Sequence, residues 1–519
     1  MTDEQPISRR AAREAEKAAG RARLRESAGA EPPDGGHDGA GRGLAAALRA
    51  HPVAWLATAG TLAFVMLGTG SIFAGVAWAS RDSAQGPTAM TPPPTEAPAV
   101  RPVSDQETMA SRLRTCSVAT QLDDERLVTL VGSVVNAETG ELLLDRNGTS
   151  AVAPSAVLKA LTATIAVDRL GPEFQIATSV YEGSAPGTVV LVGRGDATLS
   201  TLPVGEESIY EGAPKLQTLA EDTVAHYRER YPDIPITRVV LDASYWNASD
   251  SWDASWDPDE RARGTISEVT ALQVDGDRDD PRVSDSPRSD DAIGRAGDAF
   301  VAALNAADPD GEVVSPEITT TTGTAVDSTE LAVVLSQPMS TLVSQMMLTG
   351  DNTLAEMIAR VISREIGMDG SASSLQQVVP GELSNRDIPQ AGVTVRDGSG
   401  LSAFDAVPPA TMVEVMRVLR AGEDGLEVVR DALGISGMSG TLANRFTGGA
   451  ADARGAVHGI AGTNSTAASI AGYLDASDGT PLAFSFAAVG DGLQAAGARD
   501  ALDALTAAVY RCGDNLSNT

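Results

Sequence analysis

Residues 53–80 contain 28 positions without a charged side chain, and this run decides how the whole chain is organised. About 20 apolar residues in an α-helix cross the hydrocarbon core of a bilayer, so the run is long enough to span a membrane. Trp55 and Trp78 lie near its two ends, where indole rings favour the membrane interface. The sequence therefore predicts one transmembrane helix.

The segments on either side of the run indicate its orientation. Residues 1–52 carry nine Lys or Arg and eight Asp or Glu with few large apolar side chains, which is typical of a disordered cytoplasmic tail. Residues 81–104 carry six prolines and predict an extended linker to an extracytoplasmic domain. The predicted location is the cell membrane, crossed once, with the N-terminus inside. A signal peptide cleaved after Ala79 is the alternative, although the apolar run is long for a signal.

The charge and the few reactive side chains exclude several classes of protein. A net charge of −31 disfavours the basic surface that phosphate contacts need, so nucleic acid is not an expected partner. Four histidines suggest neither a metal site nor a Ser-His-Asp triad, and no metal or cofactor is predicted. Residues 275–279 are faintly similar to a calcium loop but lack its glycine at position six and glutamate at position twelve, so the acidic segment 275–291 is interpreted as a solvated loop.

The two cysteines, Cys116 and Cys512, lie near the two ends of the part that follows the membrane run. Cysteines outside the reducing cytosol usually pair, so the sequence predicts a disulfide between them. Two buried thiols are the alternative.

Hydrophobic periodicity predicts an α+β fold after residue 105. Residues 127–136 and 141–145 predict a strand hairpin, and residues 154–170 predict a helix. Strands at 467–474 and 481–489 precede a last helix over 493–510. Strands, helices, further strands and a final helix indicate helices packed on an antiparallel sheet.

Residues 154–162 (PSAVLKALT) follow the predicted hairpin and open a helix, where serine acyltransferases of the penicillin-binding class carry S-x-x-K. Helical residues three apart share a face, so a neutral lysine amine can take the proton of the serine hydroxyl. Lys159 is the candidate for this lysine.

Several segments resemble, in order, the D-alanyl-D-alanine carboxypeptidase/endopeptidase family of penicillin-binding proteins, the low-molecular-mass class C. The residues that carry this resemblance are 154–162 for P-A-S-x-x-K-L-L-T, 193–199 for G-x-G-D-P-T-L, 350–356 for S-D-N-x-x-A-E, 397–402 for D-G-S-G-L-S and 440–446 for G-T-L-x-x-R-F. The resemblance implies a penicillin-binding, serine β-lactamase-like transpeptidase fold from residues 105–175 and 336–519, with an inserted α/β region at 176–335. It also implies hydrolysis of D-Ala-D-Ala peptides of peptidoglycan by serine acyl transfer.

The chain departs from this family at the positions that do the chemistry. Ala156 stands at the nucleophile, Gly350 replaces the serine of S-x-N, and Ile460 and Ala461 replace the lysine and threonine of K-T-G. The retained positions are Lys159, Asn352 and, along the strand that borders the substrate groove, Gly462 and Thr463. Since such groups act as a unit, the sequence predicts an inactive member that binds peptidoglycan peptides or cell-wall enzymes.

An active carboxypeptidase is the alternative function, and it requires another nucleophile. Ser155 lies four residues before Lys159, but it is rotated by about 100° from the expected position, so a role as helix N-cap is favoured. His458 lies two residues before Ile460 and is interpreted as a histidine near a strand end rather than a base.

Overall fold

The structure is a computed structural model that describes residues 114–326, 328–464 and 466–518. The predicted tail, membrane helix and linker all lie outside these residues. Within the described residues, no helix is both long enough and apolar enough to cross a bilayer.

The described residues form eleven strands and eleven α-helices. The strands are β1 (Thr129–Asn136), β2 (Leu142–Arg146), β3 (Ala177–Glu182), β4 (Thr188–Gly193), β5 (Ile236–Asp242), β6 (Val314–Thr322), β7 (Glu330–Leu335), β8 (Gly434–Ile435), β9 (Val457–Thr463), β10 (Ala467–Asp475) and β11 (Pro481–Val489). The helices are α1 (Ala119–Leu122), α2 (Leu158–Leu170), α3 (Leu216–Arg230), α4 (Glu260–Arg263), α5 (Ala292–Ala307), α6 (Met339–Thr349), α7 (Asn352–Glu365), α8 (Ala372–Asn385), α9 (Pro409–Ala421), α10 (Glu427–Asp431) and α11 (Ala495–Cys512).

The strands form two sheets. An antiparallel six-stranded sheet has the order β2-β1-β11-β10-β9-β8, and it joins the hairpin near the beginning of the described chain to strands near its end. A five-stranded sheet has the order β6-β5-β4-β3-β7, in which β4, β5 and β6 are parallel. All strands of the five-stranded sheet come from residues 177–335. The domain boundaries drawn from the sequence stay predictions.

Helices cover both faces of the six-stranded sheet because its strands alternate apolar residues that point to opposite faces. Ile470 and Phe484 pack in a core with α11, whereas the next residues, Ala471 and Ala483, belong to the core that includes α2, α7 and α9. Small alanines on the second face let α9 lie close against β11. The sheet thus separates a core beneath the C-terminal helix from the core that contains Lys159.

The elements predicted from hydrophobic periodicity are present, with small shifts in their ends. The first hairpin is β1 and β2, the strands before the last helix are β10 and β11, and that helix is α11. The predicted disulfide is confirmed: Cys116 and Cys512 are bonded, with their Cα atoms 5.5 Å apart. This bond ties the first described residues to the end of α11.

The interpretation of residues 275–291 as a solvated loop holds only for the exposed part of the segment, which includes most of its acidic residues. Asp275, Asp277, Arg278 and Arg288 are all buried. Arg278 forms an ion pair of 2.8 Å with Asp351, so its charge is neutralised inside the fold rather than by water. The described residues hold no cluster of His, Cys, Asp or Glu suited to a metal ion.

Candidate active site

A tight turn presents Ala156 just before the start of α2. Ser155–Val157 form a single 3₁₀ turn that leads directly into the helix. Ser155 is buried and has a φ of +51°, whereas Ala156 is partly accessible. The Ser469 hydroxyl donates a 2.6 Å hydrogen bond to the carbonyl oxygen of Pro154 and anchors the turn to β10. The backbone therefore exposes the methyl group of Ala156 and turns Ser155 inward.

The sequence suggested that Ser155 caps the helix, but in the structure it does not. Pro154 precedes the 3₁₀ turn and Val157 precedes α2, and neither helix start has a side-chain cap. Within the described residues, the Ser155 hydroxyl has no hydrogen bond to Lys159 or to any other group. The cap was expected because α2 was taken to begin at Ser155, and the 3₁₀ turn moves its start to Leu158.

Lys159 is buried beneath this turn and is held by two acceptors. Its Nζ donates a 2.6 Å hydrogen bond to Oδ1 of Asn352 and a 2.8 Å bond to the carbonyl oxygen of Ser399. The side chain is 1% exposed, and burial lowers the pKa of its amine to about 8. Such an amine could accept a proton near neutral pH, but the methyl group of Ala156 has none to give.

Asn352, the first residue of α7, links Lys159 to the segment that follows α4. Its Oδ1 accepts from Lys159, while its Nδ2 donates a 3.1 Å bond to the carbonyl oxygen of Thr265. These two bonds fix which end of the amide faces the lysine. The structure thus brings together the two retained polar residues that the sequence singled out.

Two buried carboxyl groups, Glu356 and Asp397, lie near Lys159, and the sequence interpretation missed them. Glu356 accepts from the backbone N–H groups of Gly398 and Ser399, and Asp397 accepts from those of Gly400 and Ser402. Burial and the neighbouring Asp397 raise the pKa of Glu356, and they do the same to Asp405. The signal for this cluster was present in the D-N-x-x-A-E and D-G-S-G-L-S segments, which were used only to recognise the family.

Gly350 ends α6 with a φ of +74° and carries no hydroxyl toward Lys159. A Cβ atom built on Gly350 would lie 3.5 Å from the methyl group of Thr441. The Thr441 hydroxyl accepts a 3.1 Å hydrogen bond from the backbone N–H of Ala461. Thr441 therefore joins two of the altered positions, a contact that the sequence did not indicate.

Strand β9 passes directly beside the turn. A Cβ atom on Gly462 would lie 2.3 Å from Cβ of Ala156, so only glycine fits there. Ile460 is completely buried on the same face of the strand, and Ala461 is buried on the opposite face. Neither side chain offers a charge or a hydroxyl to a ligand carboxylate.

His458 lies outside this group of residues as the sequence suggested. It belongs to β9 and stacks on Tyr473, its cross-strand neighbour, with 5.3 Å between the ring centroids. Burial lowers the pKa of its imidazole, so the ring is neutral near pH 7.

The sequence model of the D-Ala-D-Ala carboxypeptidase 3 (S13) family matches residues 115–295 and 285–509. The chain belongs to this family. A carboxypeptidase of Mycobacterium tuberculosis is 32% identical over 440 residues, which are 83% of this chain and 91% of the relative. Carboxypeptidase DacB of Mycolicibacterium smegmatis is 31% identical over 438 residues and covers the same shares.

A solved structure of the family supports the fold. Penicillin binding protein 4 (dacB) of Haemophilus influenzae superposes with a TM-score of 0.60 at 18% identity, covering 74% of this chain and 96% of that protein. The described residues therefore have the fold of a penicillin-binding protein of the S13 family, with α2 and β9 bordering the site.

A cavity of about 430 Å³ opens at the end of β9, the strand that passes beside the turn containing Ala156. It is lined by Thr463 at the end of β9, by Trp256 and Arg263, and by Leu401 and Ala403 from the loop that follows Asp397. Ala403 is exposed and Thr463 is partly exposed, so this groove is open to solvent. Thr463 follows Gly462, the residue of β9 that lies against Ala156, so the groove begins close to the turn.

Proposed function

We propose that this chain is a catalytically inactive S13-family protein that binds peptidoglycan peptides at the cell wall without hydrolysing them. The observation that carries the proposal is the environment of Lys159. The lysine is buried and bonded to Asn352 and Ser399, and the accessible residue of the neighbouring turn is Ala156 rather than a serine.

Acyl transfer needs an oxygen that attacks the peptide carbonyl and a base that removes its proton. Ala156 cannot form an ester. Gly350 supplies no hydroxyl to pass a proton to the leaving amine, and Ile460 and Ala461 supply no contacts for a terminal carboxylate. Because the effects of removing such groups on the reaction rate are strongly non-additive, the remaining lysine and asparagine do not sustain turnover.

The alternative is an active carboxypeptidase, which the names of the mycobacterial relatives favour. It would have to use Ser155, the neighbouring hydroxyl. Ser155 is 2% exposed, so a peptide carbonyl could reach it only after the turn rearranged. The buried orientation therefore supports the inactive form.

Labelling with a fluorescent penicillin tests the loss of catalysis. The full-length chain is expected to show no covalent label, whereas penicillin binding protein 4 of Haemophilus influenzae, which has been solved with a bound β-lactam, serves as the positive control. A stoichiometric adduct would overturn the proposal. An adduct mapped to Ser155 by peptide mass spectrometry would establish the active alternative.

Co-sedimentation with purified peptidoglycan tests the binding function. Ala403→Trp places a large ring at the exposed mouth of the groove and is expected to reduce sedimentation by about tenfold or more. Ala451→Trp, at an exposed position on a 3₁₀ turn, is the matched control and should leave binding unchanged. Equal binding by both variants would place the peptidoglycan contact elsewhere.

The same proposal includes a membrane anchor at residues 53–80, supported by the absence of charge over that run. Protease added to intact cells should remove an epitope at the C-terminus and spare one at the N-terminus. Protection of the C-terminal epitope would contradict this orientation, and release of the chain into the medium with an N-terminus at Ser80 would indicate a cleaved signal.

A further inference from the structure

A second cavity lies at the other end of α7 from Asn352. Its volume is about 570 Å³, and it is lined by residues at the carboxyl ends of β5 and β6 together with Arg364 and Asp369, which come from α7 and the loop after it. Twelve residues separate Asn352 from Arg364, which corresponds to about 18 Å along a helix. Open parallel sheets commonly bind ligands outside the carboxyl ends of their strands, and pockets are frequent where two parts of a fold meet.

Arg364 offers this cavity an incompletely satisfied cation. Its Nη1 donates a 3.0 Å hydrogen bond to the carbonyl oxygen of Met368, which suits a basic residue in the last turn of a helix. That bond uses one of five N–H groups. The Nε atom is buried, so it cannot reach a ligand in the cavity, and the second N–H of Nη1 and the two of Nη2 are the donors that remain. Unsatisfied guanidinium donors at a cavity wall favour a carboxylate ligand.

Asp369 supplies the opposite charge. Its carboxylate accepts 2.9 and 2.7 Å hydrogen bonds from the backbone and hydroxyl of Ser371, and these bonds lower its pKa. The charge of Arg364 also lowers the pKa of Asp369. Both side chains line the cavity, so it presents a cation and a carboxylate, and this pair matches a ligand that carries both an anion and a cation.

Tyr245 gives the cavity a fixed wall. The guanidinium carbons of Arg194 and Arg364 each lie 4.9 Å from the centroid of its ring. Its hydroxyl donates a 2.5 Å hydrogen bond to Glu365, and burial followed by this bond raises the pKa of the phenol to about 12. Trp246 and the exposed amide of Asn247 complete this side with one apolar and one polar surface.

We propose that this cavity, between the carboxyl ends of β5 and β6 and the end of α7, binds an amino acid or short peptide with free termini. Arg364 binds the terminal carboxylate, Asp369 binds the terminal ammonium, and Tyr245 contacts the backbone or side chain between them. The site is separate from the groove beside Thr463, and α7 carries Arg364 near its end and Asn352, which binds Lys159, at its start.

Calorimetric titration of the full-length chain with D-alanyl-D-alanine tests the site, with the C-terminal amide of the same dipeptide as the comparison ligand. Arg364→Gln is expected to weaken the dipeptide binding component by at least about tenfold, since a charge-assisted contact is lost. The amide lacks the terminal carboxylate, so it should bind the unmodified chain at least about tenfold more weakly than the dipeptide does. Arg238→Gln removes an exposed arginine at the amino end of β5 and is the charge-matched control, which should bind normally.

The Ala403→Trp variant separates this site from the groove. If the proposal holds, Ala403→Trp retains the component that Arg364→Gln removes, even if the groove binds nothing. Loss of that component in Ala403→Trp but not in Arg364→Gln would overturn the second site and assign the binding to the groove. Absence of any heat or protection from thermal unfolding at millimolar dipeptide would also overturn it.

Discussion

Gly400 is the residue on which the turn that presents Ala156 depends. It has a φ of +82°, and a Cβ atom there would lie 1.9 Å from the carbonyl oxygen of Ser155 and 3.2 Å from Cβ of Leu158. A side chain at Gly400 would therefore push the turn away from the D-G-S-G-L-S segment. The position of Ala156 is set by a residue more than two hundred positions later in the chain.

Gly400→Ala is expected to lower the free energy of unfolding by about 2–5 kcal/mol, since it adds a steric overlap to the strain of a positive φ. Gly205→Ala is the matched control, because Gly205 has a φ of +93° but no atom within 4 Å of the added Cβ. The control should cost only about 1–2 kcal/mol. Urea unfolding measures both, and equal losses would show that the turn yields to the added methyl group.

A serine restored at the turn should not restore the reaction. Ala156→Ser supplies a hydroxyl near Lys159, but Gly350, Ile460 and Ala461 still lack the remaining polar groups. We expect acylation by penicillin at least about a thousandfold slower than that of the Haemophilus influenzae protein measured in parallel, because the groups act as a unit. Intact-protein mass spectrometry over several hours measures the adduct. Rapid, stoichiometric acylation of the single variant would show that one serine suffices.

Helix α7 connects the site to the segment that was expected to be solvated. Asp351 caps the helix by accepting a 2.9 Å hydrogen bond from the N–H of Leu354, and it forms a 2.8 Å ion pair with Arg278. Burial alone would raise the pKa of Asp351, but Arg278 and Arg288 outweigh it and hold the pKa at about 2. The start of α7, and with it Asn352, is therefore fixed by buried arginines from the loop before α5.

This arrangement predicts an acid-sensitive contribution to stability. The folded pKa of Asp351 lies below the unfolded value of 3.8, so the unfolded chain binds more protons between about pH 4 and pH 2. The contribution of this group is complete above pH 4, and about 2 kcal/mol of it is lost as the pH falls to 2.

Asp351→Asn removes the titrating group and leaves Arg278 buried without its counter-charge. We expect it to lose about 3–5 kcal/mol at pH 7 and to show a weaker fall in stability below pH 4. Asp291→Asn is the control, since Asp291 caps α5 in the same way without an arginine partner among the described residues. Unfolding midpoints of both variants are measured from pH 7 to pH 2. If the midpoints of the two variants fall in parallel, Asp351 is not the source of the acid-sensitive stability.

Across the whole molecule, local patterns predicted the elements, while long-range packing decided what the site contains. The strands with alternating apolar residues and the helix after residue 154 could be predicted from residues that are close together in the sequence. Glu356, Asp397 and Lys159 meet only because α2, α7 and the loop before α9 converge, and no local pattern contains that contact. Arg278 was misjudged for the same reason, since a charge-rich segment has the same composition whether water or a buried carboxylate neutralises it. Motif resemblance located the site where periodicity could not.

The disulfide between Cys116 and Cys512 joins residues 396 positions apart and closes the described domain at its two ends. A cross-link over so long a loop restricts the unfolded chain, and its loss is expected to lower the free energy of unfolding by about 2–5 kcal/mol. Cys116→Ser/Cys512→Ser should therefore unfold at lower urea than the unmodified chain, and reductant should lower the stability of the unmodified chain alone. The backbone contacts beside the bond, in which Cys116 donates to the carbonyl oxygen of Asn515, would remain in the variant. Equal stability of the two chains without reductant would show that these contacts, rather than the covalent bond, hold the ends of the domain together.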